Sequence, residues 1–159
     1  MEKIQKYREY HRKFIMSDKV KITYKGESRM VPKTYVEGLK GYDRTKQIRS
    51  IFEGTFRPKT SFKSKQSKWT KMFNEKFGKE VDKLGKRTPK NISKVTGVPV
   101  GAIKEVLKKG AGAYISSGSR PNVSMNAWKY ARLYSYLLGG NARKVDASIT
   151  KKYNVKFPK

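Results

Sequence analysis

The chain has 159 residues, of which 39 are Lys or Arg and 12 are Asp or Glu, giving a formal net charge of +27. Apolar residues make up 36% and mean hydropathy is -0.82, so the core is small for the length. Cysteine is absent and histidine occurs once; this excludes a disulfide frame, thiolate chemistry and cysteine zinc sites, while the charge selects polyanionic partners.

Aromatics reach 12%, including 10 Tyr, which is too many for a plainly disordered chain. No run approaches the roughly 20 apolar residues of a membrane span. The Met1 start is polar and charged and shows no apolar signal region. The expectation is a soluble protein made in a reducing compartment.

Residues 1–16 read as a basic amphipathic helix. Ile4, Tyr7, His11 and Phe14 recur at spacings of three and four, which places them on one face. That face suits an arm that docks into a partner groove, or equally a helix packed on its own domain. Val20, Ile22 and Tyr24 alternate with polar residues as a short half-exposed strand. A turn at Gly26-Glu27-Ser28 would return the chain through Arg29-Met30-Val31, with Pro32 ending the pairing.

Residues 35–42 read as loop. Asp43 is the expected N-cap of a helix through Glu53, with Ile48, Ile51 and Phe52 apolar and Gly54 as terminator. Between Arg57 and Lys76 seven basic residues (among them Lys59, Lys63, Lys65 and Lys68) and one acid interleave with Phe62, Trp69 and Phe73. Basic residues among aromatics suit phosphate contact plus stacking. The helical spacing of Trp69, Phe73 and Phe77 favours core instead, in a short helix capped by Ser67 and ended by Gly78.

Thr88-Pro89 is an N-cap followed by proline at the first helical position. A helix over 89–96 ends at Gly97, and Pro99 opens a second that ends at Gly110. Two helices around a glycine turn invite comparison with a helix-turn-helix, with Lys104, Lys108 and Lys109 approaching DNA. The second helix has few of the side chains that read base edges, so a plain helical hairpin is preferred. Gly110-Ala111-Gly112 reads as a helix terminator and tight loop. In the Ser117-Gly118-Ser119-Arg120 turn, Ser119 and Arg120 suit a phosphate cradle; an internal brace fits as well, and both readings stay open.

A helix over about 124–138 is apolar or aromatic around nearly its whole circumference, which marks a segment buried on several sides. Ala127, Ala131 and Ser135 form a small-residue seam. Arg132 interrupts the apolar surface and needs a carboxylate or carbonyl partner, for which Asp146 is a candidate. A last helix over 142–153 places Val145, Ile149 and Tyr153 on one face, followed by a basic tail.

The stretches MVPKTYVEGLKGYDRTKQIRSI, RPKTSFKSKQSKW, ISKVTGVPVGAIKEVLKKGAGAY, SSGSRPNVS and AWKYARLYSYLLGGNARKVD resemble an uncharacterised domain family of tailed bacteriophages and of large DNA viruses of algae and amoebae. The resemblance covers roughly residues 30–153. Its GSRP loop, AW-x-x-AR helix and GG-x-AR-x-x-D ending are specific when found in order. Where many algal-virus relatives have PNQT, this chain has Pro121-Asn122-Val123-Ser124. The resemblance implies viral origin and, with the charge, a minor capsid protein of a chlorella-type algal virus.

The expected architecture is mainly α: a small single helical domain with a minor N-terminal β-hairpin and a basic N-terminal helical arm. Its divisions are 1–30 (arm and hairpin), 31–153 (compact helical domain) and 154–159 (basic tail). One histidine, scattered acids and no nucleotide-loop spacing give no catalytic set, so neither an enzyme nor a cofactor is expected. The expected function is a structural component bridging capsomers on the inner face of the capsid, made in the host cytoplasm. Its partners would be the major capsid protein, other minor capsid proteins and genomic double-stranded DNA. The alternative is a DNA-binding or packaging protein using residues 89–109.

Overall fold

The structure, a computed structural model, describes residues 19–61 and 66–158. The described residues are mainly helical, with one two-stranded antiparallel hairpin among them. Its contacts divide the described residues into two compact groups: 19–61 with 117–122, and 66–116 with 123–158. The expected arm helix, with Ile4, Tyr7, His11 and Phe14, lies outside the described residues.

In the first group, strands β1 (Lys19–Tyr24) and β2 (Glu27–Pro32) pair from Lys19↔Pro32 to Tyr24↔Glu27. The turn is Lys25-Gly26, not Gly26-Glu27-Ser28: both residues have positive φ, 45° and 82°. That is the two-residue geometry whose twist matches the strands, and it leaves Glu27 and Ser28 free to pair. Ile22 and Val31 are buried, each removing apolar surface worth roughly 1.5–3 kcal/mol. A two-stranded hairpin needs such support. Helix α1 (Gly41–Glu53) adds more: Tyr24 donates its hydroxyl to Glu53 Oε1 at 2.8 Å, and Arg29 lies over the Phe52 ring.

Helix α1 starts earlier than expected. A 3-10 turn occupies Lys33–Tyr35, the N-cap is Lys40, and Asp43 sits inside the first turn. There its carboxylate faces the positive end of the helix dipole and accepts the Ser61 N–H and hydroxyl. Gly54 closes the helix in the left-handed conformation at φ 66°, as expected. The buried face is Gln47, Ser50 and Ile51, while Ile48 and Phe52 are half-buried. Gln47 Nε2 donates to the Tyr35 and Ser119 carbonyls at 3.0 and 2.9 Å, tying the 117–122 segment to α1.

In the second group, Ser67 caps α2 (Lys68–Phe73), accepting the Trp69 N–H. Gly78 does not end this helix. The chain passes through a π-helical turn, Asn74–Gly78, into α3 (Lys79–Lys83) with Gly78 in helical geometry. A Cβ at Gly78 would lie 3.4 Å from Arg87 Nη2, so the guanidinium packs closely over this glycine. Arg87 in turn donates to Asn74 Oδ1 at 2.6 Å and to Asp82 Oδ1 at 3.1 Å. Phe73 and Phe77 are buried and Trp69 packs against them, so the aromatics of 57–76 that are described belong to the core. Phe73 stacks on Tyr134 with centroids 4.1 Å apart.

Thr88 caps α4 (Pro89–Thr96), and Gly97 closes it at φ 76°. Helix α5 (Val100–Ser117) runs through Gly110 and Gly112, not stopping at Gly110. The reason is tertiary: a Cβ on Gly110 would come 3.0 Å from both Cα and Cβ of Lys129 on α6 (Met125–Leu138). The glycine permits close helix approach and is no terminator. The chain leaves the helix at Gly118, φ 89°.

Ser124 caps α6, and Gly139 ends it in the left-handed conformation. Only its C-terminal half, Leu133 to Leu137, is fully buried; Ala127 is exposed, so the seam is not covered along its length. The expected last helix is broken at Asp146 into α7 (Asn141–Val145) and α8 (Ala147–Tyr153). Val145 is 59% exposed and leaves the face that Ile149 buries. Arg132 finds the expected partner: Nε and Nη2 donate to Asp146 Oδ2 and Oδ1 at 3.0 and 2.8 Å, and Asp146 is fully buried.

Gly110 and Gly112 separate packing from propensity. Gly110→Ala is expected to destabilise by about 1–2 kcal/mol, overpacking outweighing helix propensity. Gly112, with nothing within 4 Å of an added Cβ, should gain about 0.5–1 kcal/mol as Ala. Urea unfolding checks both; equal stabilisation would mean that α5 and α6 are not in close contact at Gly110.

Candidate functional site

The sequence nominates cations, and the structure sorts them. Arg57 is 8% exposed, and its Nη1 donates to Ser50 Oγ at 3.1 Å. It is therefore a buried brace of the α1 group and not a surface phosphate contact. Ser119 is fully buried, its carbonyl taken by Gln47 and its hydroxyl donating to the Arg120 carbonyl. Arg120 is exposed beside it. The GSRP turn is thus mainly an internal brace. Gly118 packs on Ile51 and Tyr35, and Asn122 at φ 61° accepts the Thr60 N–H at 2.7 Å and donates to its carbonyl. Val123 acts through its backbone, its carbonyl accepting the Tyr114 hydroxyl.

The other candidates face outward. Lys59, Lys68, Lys104, Lys108 and Lys109 are exposed. Lys68 lies over the Trp69 ring at 4.8 Å. Lys63 and Lys65 lie outside the described residues. Sequence reasoning missed Lys151 and Lys152 on α8, which the fold sets beside α5. The available signal was a lysine pair on the polar side of the last helix.

Helix α8 lies along α5 with opposed direction. The Tyr153 ring covers Gly101, where a Cβ would come within 2.6 Å of it. Lys152 pairs with Glu105, and Tyr153 donates its hydroxyl to the same carboxylate oxygen at 2.9 Å. Lys109 reaches Ser148 Oγ at 3.4 Å. The first turn of α5 is therefore covered by an aromatic ring, and a carboxylate follows in the next turn, which is a poor start for a helix meant to enter a DNA groove.

Carboxylates are scarce, and most are engaged within the chain. Among the nine described, Asp43, Glu53, Asp82, Glu105 and Asp146 are in ion pairs. Three are held below their ordinary pKa: Asp43 first by the Ser61 N–H, Glu53 first by the Tyr24 hydroxyl, and Glu105 first by Lys152. Burial raises the Tyr35 hydroxyl, against the nearby charges of Arg120 and Arg57. Among the described residues no group of three or more His, Asp or Glu could hold a metal ion, and no helix is long and apolar enough to cross a membrane.

The depressed carboxylates set a pH dependence. Their contribution is fully present above the unfolded carboxylate range, about pH 4–4.5. It is lost as pH falls through the lower folded values. The melting temperature should hold through mild acid and decline below about pH 4; a rise in stability over that acid range would contradict these contacts.

The motif residues of the sequence have packing roles. Gly139 ends α6; Gly140 admits no side chain because Trp69 lies 2.6 Å from an added Cβ; Ala142 is buried. Arg143 donates to the last carbonyls of α6, those of Tyr136 and Leu137, at 3.0 and 2.7 Å. Asp146 takes Arg132. No curated protein and no solved structure matches the chain. The model of a family described as "Family of unknown function (DUF5824)" matches residues 32–154, from the end of the hairpin to the residue after α8, and the chain belongs to that family.

Proposed function

We propose that this chain is a non-enzymatic structural protein of a large icosahedral DNA virus, a minor capsid component that bridges capsomers on the inner side of the shell. The observation that carries this reading is the charge: +27 on 159 residues, with over half of the described carboxylates already paired internally. A free domain so charged repels itself and attracts polyanions. The inner face of a shell offers both acidic protein surfaces and packaged DNA. The phage and algal-virus resemblance of the same motifs supports a viral setting. Their use for packing, not for a reactive cluster, supports a scaffold. The major capsid protein, other minor capsid proteins and genomic double-stranded DNA are the proposed partners; the virion is the proposed location, after synthesis in the host cytoplasm.

The alternative, a packaging protein that reads DNA through residues 89–109, is weakened by Tyr153 over Gly101 and by Glu105 in the second turn of α5. Quantitative mass spectrometry of disrupted, purified particles separates the two. A shell component stays with the capsid fraction after the genome is released and digested. Release with the genome would favour the packaging role, and absence from particles would overturn the proposal.

A further inference from the structure

We propose that the outward side of the α5–α8 pair is a contact surface for the phosphate backbone of duplex DNA, an inference that rests on the interior shell position proposed above. Lys104, Lys108 and Lys109 on α5 and Lys151 and Lys152 on α8 are all exposed. The accompanying carboxylate is Glu105, which Lys152 and the Tyr153 hydroxyl already hold. Those contacts, with Lys109 to Ser148 and Tyr153 over Gly101, fix the two helices side by side. The lysines of the two helices therefore lie on adjoining elements and not on separate segments. Lys104 and Lys108 are four residues apart, a rise of about 6 Å along the helix.

The chemistry of this face selects the partner. It presents ammonium groups without the Asn, Gln or Arg forks that read base edges, so it contacts backbone and not sequence. Its one aromatic ring is turned onto Gly101, so there is no exposed stacking surface for single strands. Between residues 101–109 and 147–153 no large apolar side chain is exposed, whereas protein interfaces centre on apolar or aromatic anchors. A duplex, with closely spaced phosphates and a condensed counterion layer, matches a face of lysines.

The test uses the full chain and a short mixed-sequence duplex, with affinity measured across salt concentrations. A triple variant, Lys104→Gln with Lys108→Gln and Lys151→Gln, removes three charges that make none of the contacts joining α5 to α8. A control, Lys71→Gln with Lys79→Gln and Lys83→Gln, removes the same charge from the exposed side of α2 and α3. Circular dichroism should show unchanged helicity in both. The log–log salt slope should fall by about 2–3 in the first variant, near 0.9 per lost phosphate contact, and by less than about 1 in the control. Equal losses in the two would overturn the assignment to α5–α8 while leaving the shell proposal intact. So would unchanged duplex binding with weakened retention in the capsid fraction, which would make the face a protein interface. Absence of the chain from particles, a separate readout, would remove the shell proposal itself.

Discussion

The structure of the second residue group depends on one buried ion pair. Asp146 is fully buried, and both its oxygens are met by Arg132 from the middle of α6. Unpaired, such a carboxylate would cost several kcal/mol. Paired in this forked geometry, it fixes where the C-terminal chain must turn. The Asp146 N–H closes α7 on the Ala142 carbonyl at 2.8 Å, and its carbonyl opens α8 by accepting the Ile149 N–H at 3.0 Å. The course of α8 follows, with Ile149 in the core and Lys152 and Tyr153 on Glu105. A pair of this kind adds little net stability over an apolar substitute of the same shape. Its effect here is positional: it sets one break point between two short helices that would otherwise run on.

The same scarcity of acids that makes this pair legible shapes the surface. A chain with few carboxylates that commits them to internal work leaves most of its lysines without internal neutralisation. Arg57, Arg87, Arg132 and Arg143 are the cations drawn inward, each onto hydroxyl, amide, carboxylate or carbonyl groups. Lysines dominate the exterior. This division follows the two side chains' chemistry: a planar fork of donors suits fixed partners, while a hydrated ammonium on a flexible stem suits a surface facing phosphate or water. The scaffold and the charged face are thus two uses of one basic composition.

Local signals in the sequence suffice where the local chain decides the structure. Ser67, Thr88-Pro89 and Ser124 start helices, and Gly54, Gly97 and Gly139 end them, because capping needs only neighbours in sequence. Gly78 and Gly110 carry the same signature and do the opposite. Each lies within a helix: at Gly110 the backbone of Lys129 comes too close for a side chain, and at Gly78 the Arg87 guanidinium packs in contact with the position a Cβ would take. The lysine-rich sequence around Arg57 predicts a surface cation; nothing local reports that Ser50 lies inward to receive it. Of the charged face, the α5 lysines were legible from helical spacing. The position of Lys151 and Lys152 beside them is not, since it depends on the Asp146 break and on tertiary contacts such as Tyr153 with Gly101 and Glu105.

We propose that this basic scaffold lies beneath a capsid shell with its lysine face toward the genome. Symmetry-averaged electron cryomicroscopy of intact particles tests it most directly. Density for the helices of the second group is expected at repeated positions on the inner surface, with α5 and α8 turned to the interior. Density on the outer surface, or at inner positions with α5 and α8 buried against capsomers, would contradict it.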